Sequence, residues 1–316
     1  MVITYKMKKK ICLTIPIFNN QNSIELLYIR LKESLKKANE IDYKFIFVDD
    51  GSSDNSRAII KEICKSDPDV TGIFLSKNFG QAAALCAGFD NSNGDYFGTL
   101  DGDLEDPPEI INDMINHLKN EKFDIIIAER ISTKVSIFRK ITSKLTNFIF
   151  RIAFRKAPKN GFNVWLMNKK MFTAFSRITN GYPQYDIYEL GFKKKIISYE
   201  RQKSKNINSN QSILKLFTNF FEMTINSSGI FFKYIFIIGI FIFLSSIANF
   251  LYMIFEYFNG SEKNSKGLYA ILTYISFFGS LNLLFLGIIG NYLLKIIKDY
   301  SKNNKYYIEE IINNSK

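Results

Sequence analysis

The sequence predicts an α/β fold with a mainly parallel sheet, followed by a two-helix transmembrane hairpin. Three observations lead there. Short apolar runs alternate with helix-period segments from residue 11 to about 128. Those runs end in polar or acidic clusters, the place where open α/β sheets bind ligands. Two long uncharged stretches, Tyr234–Phe255 and Gly267–Leu294, then follow, each long enough to cross a hydrocarbon core, which needs roughly 20 apolar residues.

The expected strands are Ile11–Ile17, Lys44–Val48, Thr71–Leu75, Tyr96–Leu100 and Asp124–Ala128. Between them lie helices over Ser23–Ala38, Asp54–Cys64, Gln81–Asp90 and Pro108–Leu118, the first with Ile24, Leu27, Tyr28, Leu31 and Leu35 on one face. Strands alternating with helices imply right-handed crossovers and a sheet covered on both faces. Val135–Phe154 has helical spacing, and Lys159-Asn160-Gly161 turns the chain. Ser212–Asn226 fits an interfacial amphipathic helix or an ordinary packed one, and its place before the first span favours the interface. The organisation is a cytosolic domain over 1–210, a juxtamembrane helix over 211–228, two membrane helices within 229–295 (about 230–255 and 268–294) and a cytosolic tail over 296–316. The Asn/Lys/Ser-rich segments 202–212 and 301–316 read as poorly ordered.

The net charge of +12 comes without a basic helix, a zinc-binding motif or an aromatic RNA-binding signature, which excludes nucleic acid as a partner. A membrane accounts for it better. Lys215, Lys233, Lys295, Lys298, Lys302 and Lys305 flank the outer ends of the hairpin, whereas the loop between the spans balances Glu256 and Glu262 against Lys263 and Lys266. Positive-inside bias then puts both termini in the cytoplasm of a multi-pass cell-membrane protein. No signal peptide is expected at the N-terminus, where the run Ile11–Ile17 is short. Cys12, Cys64 and Cys86 lack paired spacing and read as reduced core residues.

Two clusters carry chemistry. The run Leu100-Asp101-Gly102-Asp103-Leu104-Glu105-Asp106-Pro107-Pro108 brings an apolar strand into acidic side chains at alternate positions. Carboxylates at that density repel unless a cation joins them, and hard oxygen ligands suit Mg²⁺ or Mn²⁺ bound to a diphosphate. Alone, the pattern fits a solvated acidic turn equally well. Val48-Asp49-Asp50-Gly51-Ser52-Ser53-Asp54 ends the second strand; Asp50 suits a nucleobase imide or ribose hydroxyl, Gly51 permits a tight turn and Asp54 suits a helix cap. One acidic group for a nucleoside and a carboxylate cluster for a metal-bound diphosphate together describe a nucleotide-sugar site. The single histidine, His117, falls on a surface helix and reads as structural.

With those residues in view the chain resembles the family 2 glycosyltransferases of GT-A (nucleotide-diphospho-sugar transferase) fold. It is most similar to the subgroup that loads sugars onto polyprenyl phosphate, which includes dolichol-phosphate mannosyltransferases and bactoprenol glucosyltransferases. The matching stretches are Ile15–Asn19, Val48–Asp54, Leu75–Gln81, Gly94-Asp95, Leu100–Glu109, Glu129-Arg130, Gly161–Met167, Tyr199–Arg201 and Gly287–Tyr292. The resemblance implies an inverting hexosyltransferase using a nucleotide sugar (a UDP-sugar favoured) and undecaprenyl phosphate, for cell-envelope glycan. Pro16, Asn19, Asp50, Lys77, Asp101 and Arg130 would contact the nucleotide sugar. Asp101, Asp103 and Glu105 would hold the metal, and Asp103, Asn163 and Arg201 would act in catalysis. Arg201, Lys203 and Ser209 would meet the acceptor phosphate, guanidinium forks being matched to phosphoryl oxygens. A solvated surface role stays open for each of these basic residues, and a homo-oligomer is compatible with the sequence.

Several positions depart from the subgroup pattern. Phe18-Asn19-Asn20 replaces a Tyr-Asn-Glu, Asn163 stands where relatives carry aspartate, Ser204 and Ile207 replace an arginine and a glycine after Arg201, and Asn291 replaces a glutamate. Two alternatives follow. A processive polysaccharide synthase would need a Gln-x-x-Arg-Trp motif and a channel, and the sole tryptophan, Trp165, follows Val164 instead. A non-catalytic membrane scaffold descended from the family is the other.

Overall fold

The computed structural model of the protein describes residues 8–36, 41–119, 122–131, 162–178, 187, 190–200, 230–259, 266–300 and 306–313. The expected helices at 135–154 and 211–228, and the residues Arg201, Lys203 and Ser209, lie outside them. Two compact units emerge, one from residues 1–210 together with 301–316, the other from 211–300.

In the first unit the strands are β1 (Lys9–Ile17), β2 (Ile41–Asp49), β3 (Val70–Leu75), β4 (Tyr96–Thr99), β5 (Ile125–Ile131), β6 (Val164–Asn168), β7 (Lys194–Glu200) and β8 (Ile308–Asn313). The helices are α1 (Ile24–Lys36), α2 (Ser56–Ser66), α3 (Gln81–Asp90), α4 (Ile110–Lys119) and α5 (Lys169–Ile178). The strands form one eight-stranded sheet in the order β7-β5-β6-β4-β1-β2-β3-β8. β1 pairs in parallel with both β2 and β4, β2 with β3, and β5 with β7. β6 runs antiparallel between β4 and β5, so the sheet is mainly parallel, as the alternating pattern predicts.

The pleat explains the two cores. Along β1, Ile11, Leu13, Ile15 and Ile17 face one side, where they pack with α1 (Ile24, Leu27, Leu31, Leu35), α2 and α4. Cys12 faces the other side with α3 and α5, around Trp165, Phe89 and Phe175. All three cysteines are free and buried. Burial on both faces is why β1–β3 read as nearly continuous apolar runs rather than alternating ones.

Residues 306–313, the described part of the segment 301–316, correct the expectation of poor order there. Ile308–Asn313 forms an antiparallel edge strand on β3, with Ile312 opposite Gly72 and Ile311 opposite Ile73. Arg57 and Lys61 of α2 hold Glu309 and Glu310 of this strand at 2.7 and 2.6 Å. Residues 301–316 therefore group with the α/β unit that the hairpin interrupts.

The second unit contains α6 (Ile230–Phe258) and α7 (Lys266–Tyr300). Their windows Tyr234–Phe258 and Tyr269–Leu293 have mean hydropathies of 2.3 and 1.8, long and apolar enough to cross a membrane. Only 11% of each window is buried, whereas a core helix of a soluble protein is mostly buried. Phe243 and Phe277 touch between the helices with ring centroids 5.2 Å apart. Ser246 and Ser280, both buried, donate to the Phe243 and Phe277 carbonyls of their own helices, which satisfies the two hydroxyls without water.

Candidate active site

β1 is the point at which the sheet order reverses: β2 and β3 extend to one side of it, β4 and the strands beyond to the other. At such a switch point the loops leave in opposite directions and open a crevice beyond the carboxyl ends. A cleft of about 300 Å³ lies there, lined by Pro16, Phe18 and Asn20 at the end of β1, Asp50 after β2, Asn78, Gly80 and Gln81 after β3, and Asp101, Gly102 and Asp103 after β4. Pro16, Asp50, Asp101 and Asp103, separated by up to 87 positions in sequence, are thus brought together.

The wall built from the ends of β2 and β3 is held by buried carboxylates. Asp50, 3% exposed, accepts the Phe79 N–H at 2.7 Å on one oxygen and the Gly80 N–H at 2.9 Å on the other. Asp49, fully buried, accepts the Ser52 N–H and pairs with Arg57 at 3.1 Å. Burial pushes both carboxyls above the usual carboxylate range, against the pull of the amides they accept and, for Asp49, of Arg57. Gly51 has φ +70°, and a Cβ there would meet the Lys77 carbonyl carbon at 2.5 Å. Only glycine lets the two loops pack this closely. Asn19, also at positive φ (53°), accepts the Ser53 N–H at 2.9 Å and so stitches the β1 end to the same loop. Asn19 and Lys77 are not among the cleft-lining residues described; Lys77 lies over the Phe79 ring at 5.1 Å.

The acidic wall is built differently. Asp101 accepts the Gln81 side-chain amide at 2.7 Å on Oδ1 and the Asn163 amide on Oδ2. Burial pushes its carboxyl up to about 6, Asp103 and Asp106 add to the rise, and Asn163 and Arg130 oppose it. Gly102 sits where a Cβ would meet Ile17 Cδ1 at 2.3 Å and the Pro16 carbonyl at 3.0 Å, and its own carbonyl accepts the Ser23 hydroxyl at 2.6 Å. That close approach draws the loop over the end of β1. Asp103 is exposed and accepts the Glu105 N–H at 3.0 Å. Leu104 between them has φ 59°, a left-handed conformation rare for a branched side chain and a sign that the loop is held by its surroundings. Among the described residues no group of three His, Cys, Asp or Glu side chains is arranged to hold a metal ion. Asp101 and Asp103 share the cleft; Glu105 does not line it. The expected three-carboxylate cage is therefore not preformed.

What holds the acidic loop is a network that sequence reasoning missed. Asp106, fully buried, takes both arms of the Arg130 guanidinium at 3.1 and 2.8 Å and the Tyr199 hydroxyl at 2.5 Å. Arg130 and Tyr199 are register partners on β5 and β7. The Arg130 fork, expected to meet phosphate, is bidentate to Asp106 and stands 3.6 Å from Asp101. Burial and the Asp106 charge push the Tyr199 hydroxyl far above its ordinary value, so it stays a proton donor. Gln81, the other missed contact, closes the matched Leu75–Gln81 stretch, and Asp106 closes the acidic run before Pro107. Both were within the sequence patterns, but nothing in spacing says which side chain turns inward.

Residues 12–178 match the family described as Glycosyl transferase family 2. Over its whole length the chain is similar to the undecaprenyl-phosphate 4-deoxy-4-formamido-L-arabinose transferase of Photorhabdus laumondii, with 25% identity covering 99% of this chain and 98% of that protein. It is 29% identical to CsbB of Bacillus subtilis, provisionally named a glycosyltransferase, over 95% of this chain and 91% of that one. Among solved structures it shares the fold of glucosyl-3-phosphoglycerate synthase from Mycobacterium tuberculosis, crystallised with Mn²⁺, UDP-glucose and phosphoglyceric acid. The TM-score is 0.51 at 14% identity, covering 69% of this chain and 78% of that chain.

Proposed function

The chain belongs to glycosyl transferase family 2, and on that premise we propose that it moves a hexose-type sugar from a nucleotide diphosphate, uridine favoured, to undecaprenyl phosphate. The observation that carries the reading is that Asp101 and Asp103 share one cleft with Asp50 and Asn78, in a chain that continues into two helices of membrane length. Full-length similarity to an enzyme named for undecaprenyl phosphate supports the acceptor.

The residues present suit a metal-bound diphosphate: two carboxylates converge on the cleft, one of them with an ionisation that burial disfavours. Asp101 and Asp103 would hold Mg²⁺ or Mn²⁺, which when bound supplies positive charge beside the departing diphosphate. Asn163 and Gln81 aim the Asp101 carboxylate, and the Asp106–Arg130–Tyr199 network fixes the loop that carries both acids. Asp50 orders the Asn78–Gly80 backbone against which the nucleoside lies. An oxygen of the lipid phosphate attacks the anomeric carbon from the face opposite the diphosphate. The bond to the diphosphate breaks with its electron pair leaving on the nucleotide, which gives inversion. A phosphate monoester is largely ionised near neutral pH, its second pKa being about 6, so the step needs no strong general base. Arg201, Lys203 and Ser209 are assigned to the acceptor phosphate on the family resemblance.

The presence in the α/β unit of residues from both sides of the hairpin supports a reading in which both ends of the hairpin return to one side of the membrane. The lysines at those ends favour the cytoplasm as that side. The test is a donor screen on membranes holding the full chain, with radiolabelled UDP- and GDP-sugars (hexoses, N-acetylhexosamines and aminopentoses) and undecaprenyl phosphate. Lipid-extractable label that needs both the lipid and a divalent cation is the expected result. Metal-independent failure of every donor to bind or transfer would leave a scaffold in its place.

A further inference from the structure

We propose that the C-terminal strand is a positioning element of the donor wall, acting through the ion-pair relay Glu309–Arg57–Asp49. This rests on the reading of the cleft as a nucleotide site.

Three observations place the relay. Arg57 Nη2 lies 2.7 Å from Glu309 Oε2 on β8 and donates to the Leu75 carbonyl at 3.3 Å, while Arg57 Nε lies 3.1 Å from Asp49 Oδ2. Among the described residues Arg57 is thus the cation that faces Asp49, and Glu309 and the Leu75 carbonyl hold the far arm of its guanidinium. Asp49 is fully buried and holds the Ser52 amide, and the Ser52 hydroxyl accepts the Asn19 N–H at 3.0 Å at the end of β1. Separately, the Tyr307 carbonyl accepts the Ser76 N–H at 3.0 Å, where the chain leaves β3 for Asn78 and Gly80. The tail therefore braces both loops that make one wall of the cleft, and these contacts lie within the α/β unit.

The neighbouring pair supplies an internal control. Glu310 takes Lys61 at 2.6 Å, with both side chains about as exposed as in the Arg57–Glu309 pair, but Lys61 otherwise lies over the Phe74 ring and, among the described residues, does not pair with Asp49. A strand that merely covers the β3 edge needs both pairs equally. A positioning strand needs Glu309 more.

The experiment compares Glu309→Gln with Glu310→Gln in the full chain. It reads amide hydrogen exchange over residues 50–53 and 76–80, and the Kd for UDP and for GDP, each with Mn²⁺. Glu309→Gln is expected to speed exchange in both segments and weaken the bound nucleotide about three- to fivefold, the scale of one partly exposed ion pair. Glu310→Gln is expected to change neither. Equal effects of the two variants, or a lowered Tm for Glu309→Gln with exchange unchanged, would overturn the relay. If the wild type binds neither nucleotide, the functional reading fails, and the exchange data still decide the relay.

Discussion

The two walls of the cleft use the same residue type to different ends. On the wall from β2 and β3, Asp49 and Asp50 are buried and their oxygens accept backbone amides or face Arg57. On the wall from β4, Asp101 is oriented by two side-chain amides, and Asp103 stands exposed at the rim. A buried carboxylate that accepts backbone N–H groups shapes a loop, and one left exposed beyond a strand's end can meet a ligand. Exposure and partners, more than the acidic residue itself, separate architecture from chemistry here.

The comparison breaks most visibly at Asp106. Its replacement by alanine leaves Arg130, half-buried, with Asp101 as its remaining acid at 3.6 Å and takes the acceptor from the buried Tyr199 hydroxyl, which should cost about 3 kcal/mol. Thermal unfolding should fall accordingly, and a stability near wild type would mean that the acidic wall does not depend on this network. On the opposite wall, Gly51→Ala forces a Cβ into the Lys77 backbone at positive φ. A loss of roughly 1–3 kcal/mol is expected, with weaker nucleotide binding, as read by denaturant titration and calorimetry. Unchanged binding in that variant would show the loop packing to be dispensable.

A smaller effect concerns pH. The Asp101 carboxyl rises from an ordinary 3.8 to about 6 in the fold, so the folded state binds its proton more tightly than the unfolded chain does. The stability this gives is full below 3.8 and is lost as pH rises through about 6. A bound divalent cation competes with that proton, so stabilisation by Mn²⁺ should grow between pH 5 and pH 7. Differential scanning fluorimetry with and without Mn²⁺ measures it, and a flat dependence would remove Asp101 from the metal site.

Much of this was legible in the sequence where structure is local. The parallel strands ending in Asp50 and Asp101 were readable because burial on both faces makes their apolar runs dense, and each acid directly follows its run. The hairpin was readable from length and charge alone. The edge strand Ile308–Asn313 was not. Half exposed, with Glu309 and Glu310 in a Lys/Asn-rich tail, it has no apolar face strong enough to announce it, and its partner β3 lies far away in sequence. The partner of Arg130 was not legible for a related reason. A guanidinium suits phosphate and buried carboxylate equally, and only the fold reveals that Asp106 faces it.

The sharpest test of the division between the walls is Asp103→Asn, assayed for lipid-linked label in membranes beside its thermal stability. Loss of an electrostatic group acting on a reaction's developing charge costs about 10²–10³ in turnover. The account predicts a fall of at least that size with the melting temperature unchanged, since Asp103 is exposed and its bond to the Glu105 amide is a local one. Turnover like that of the wild type would contradict it.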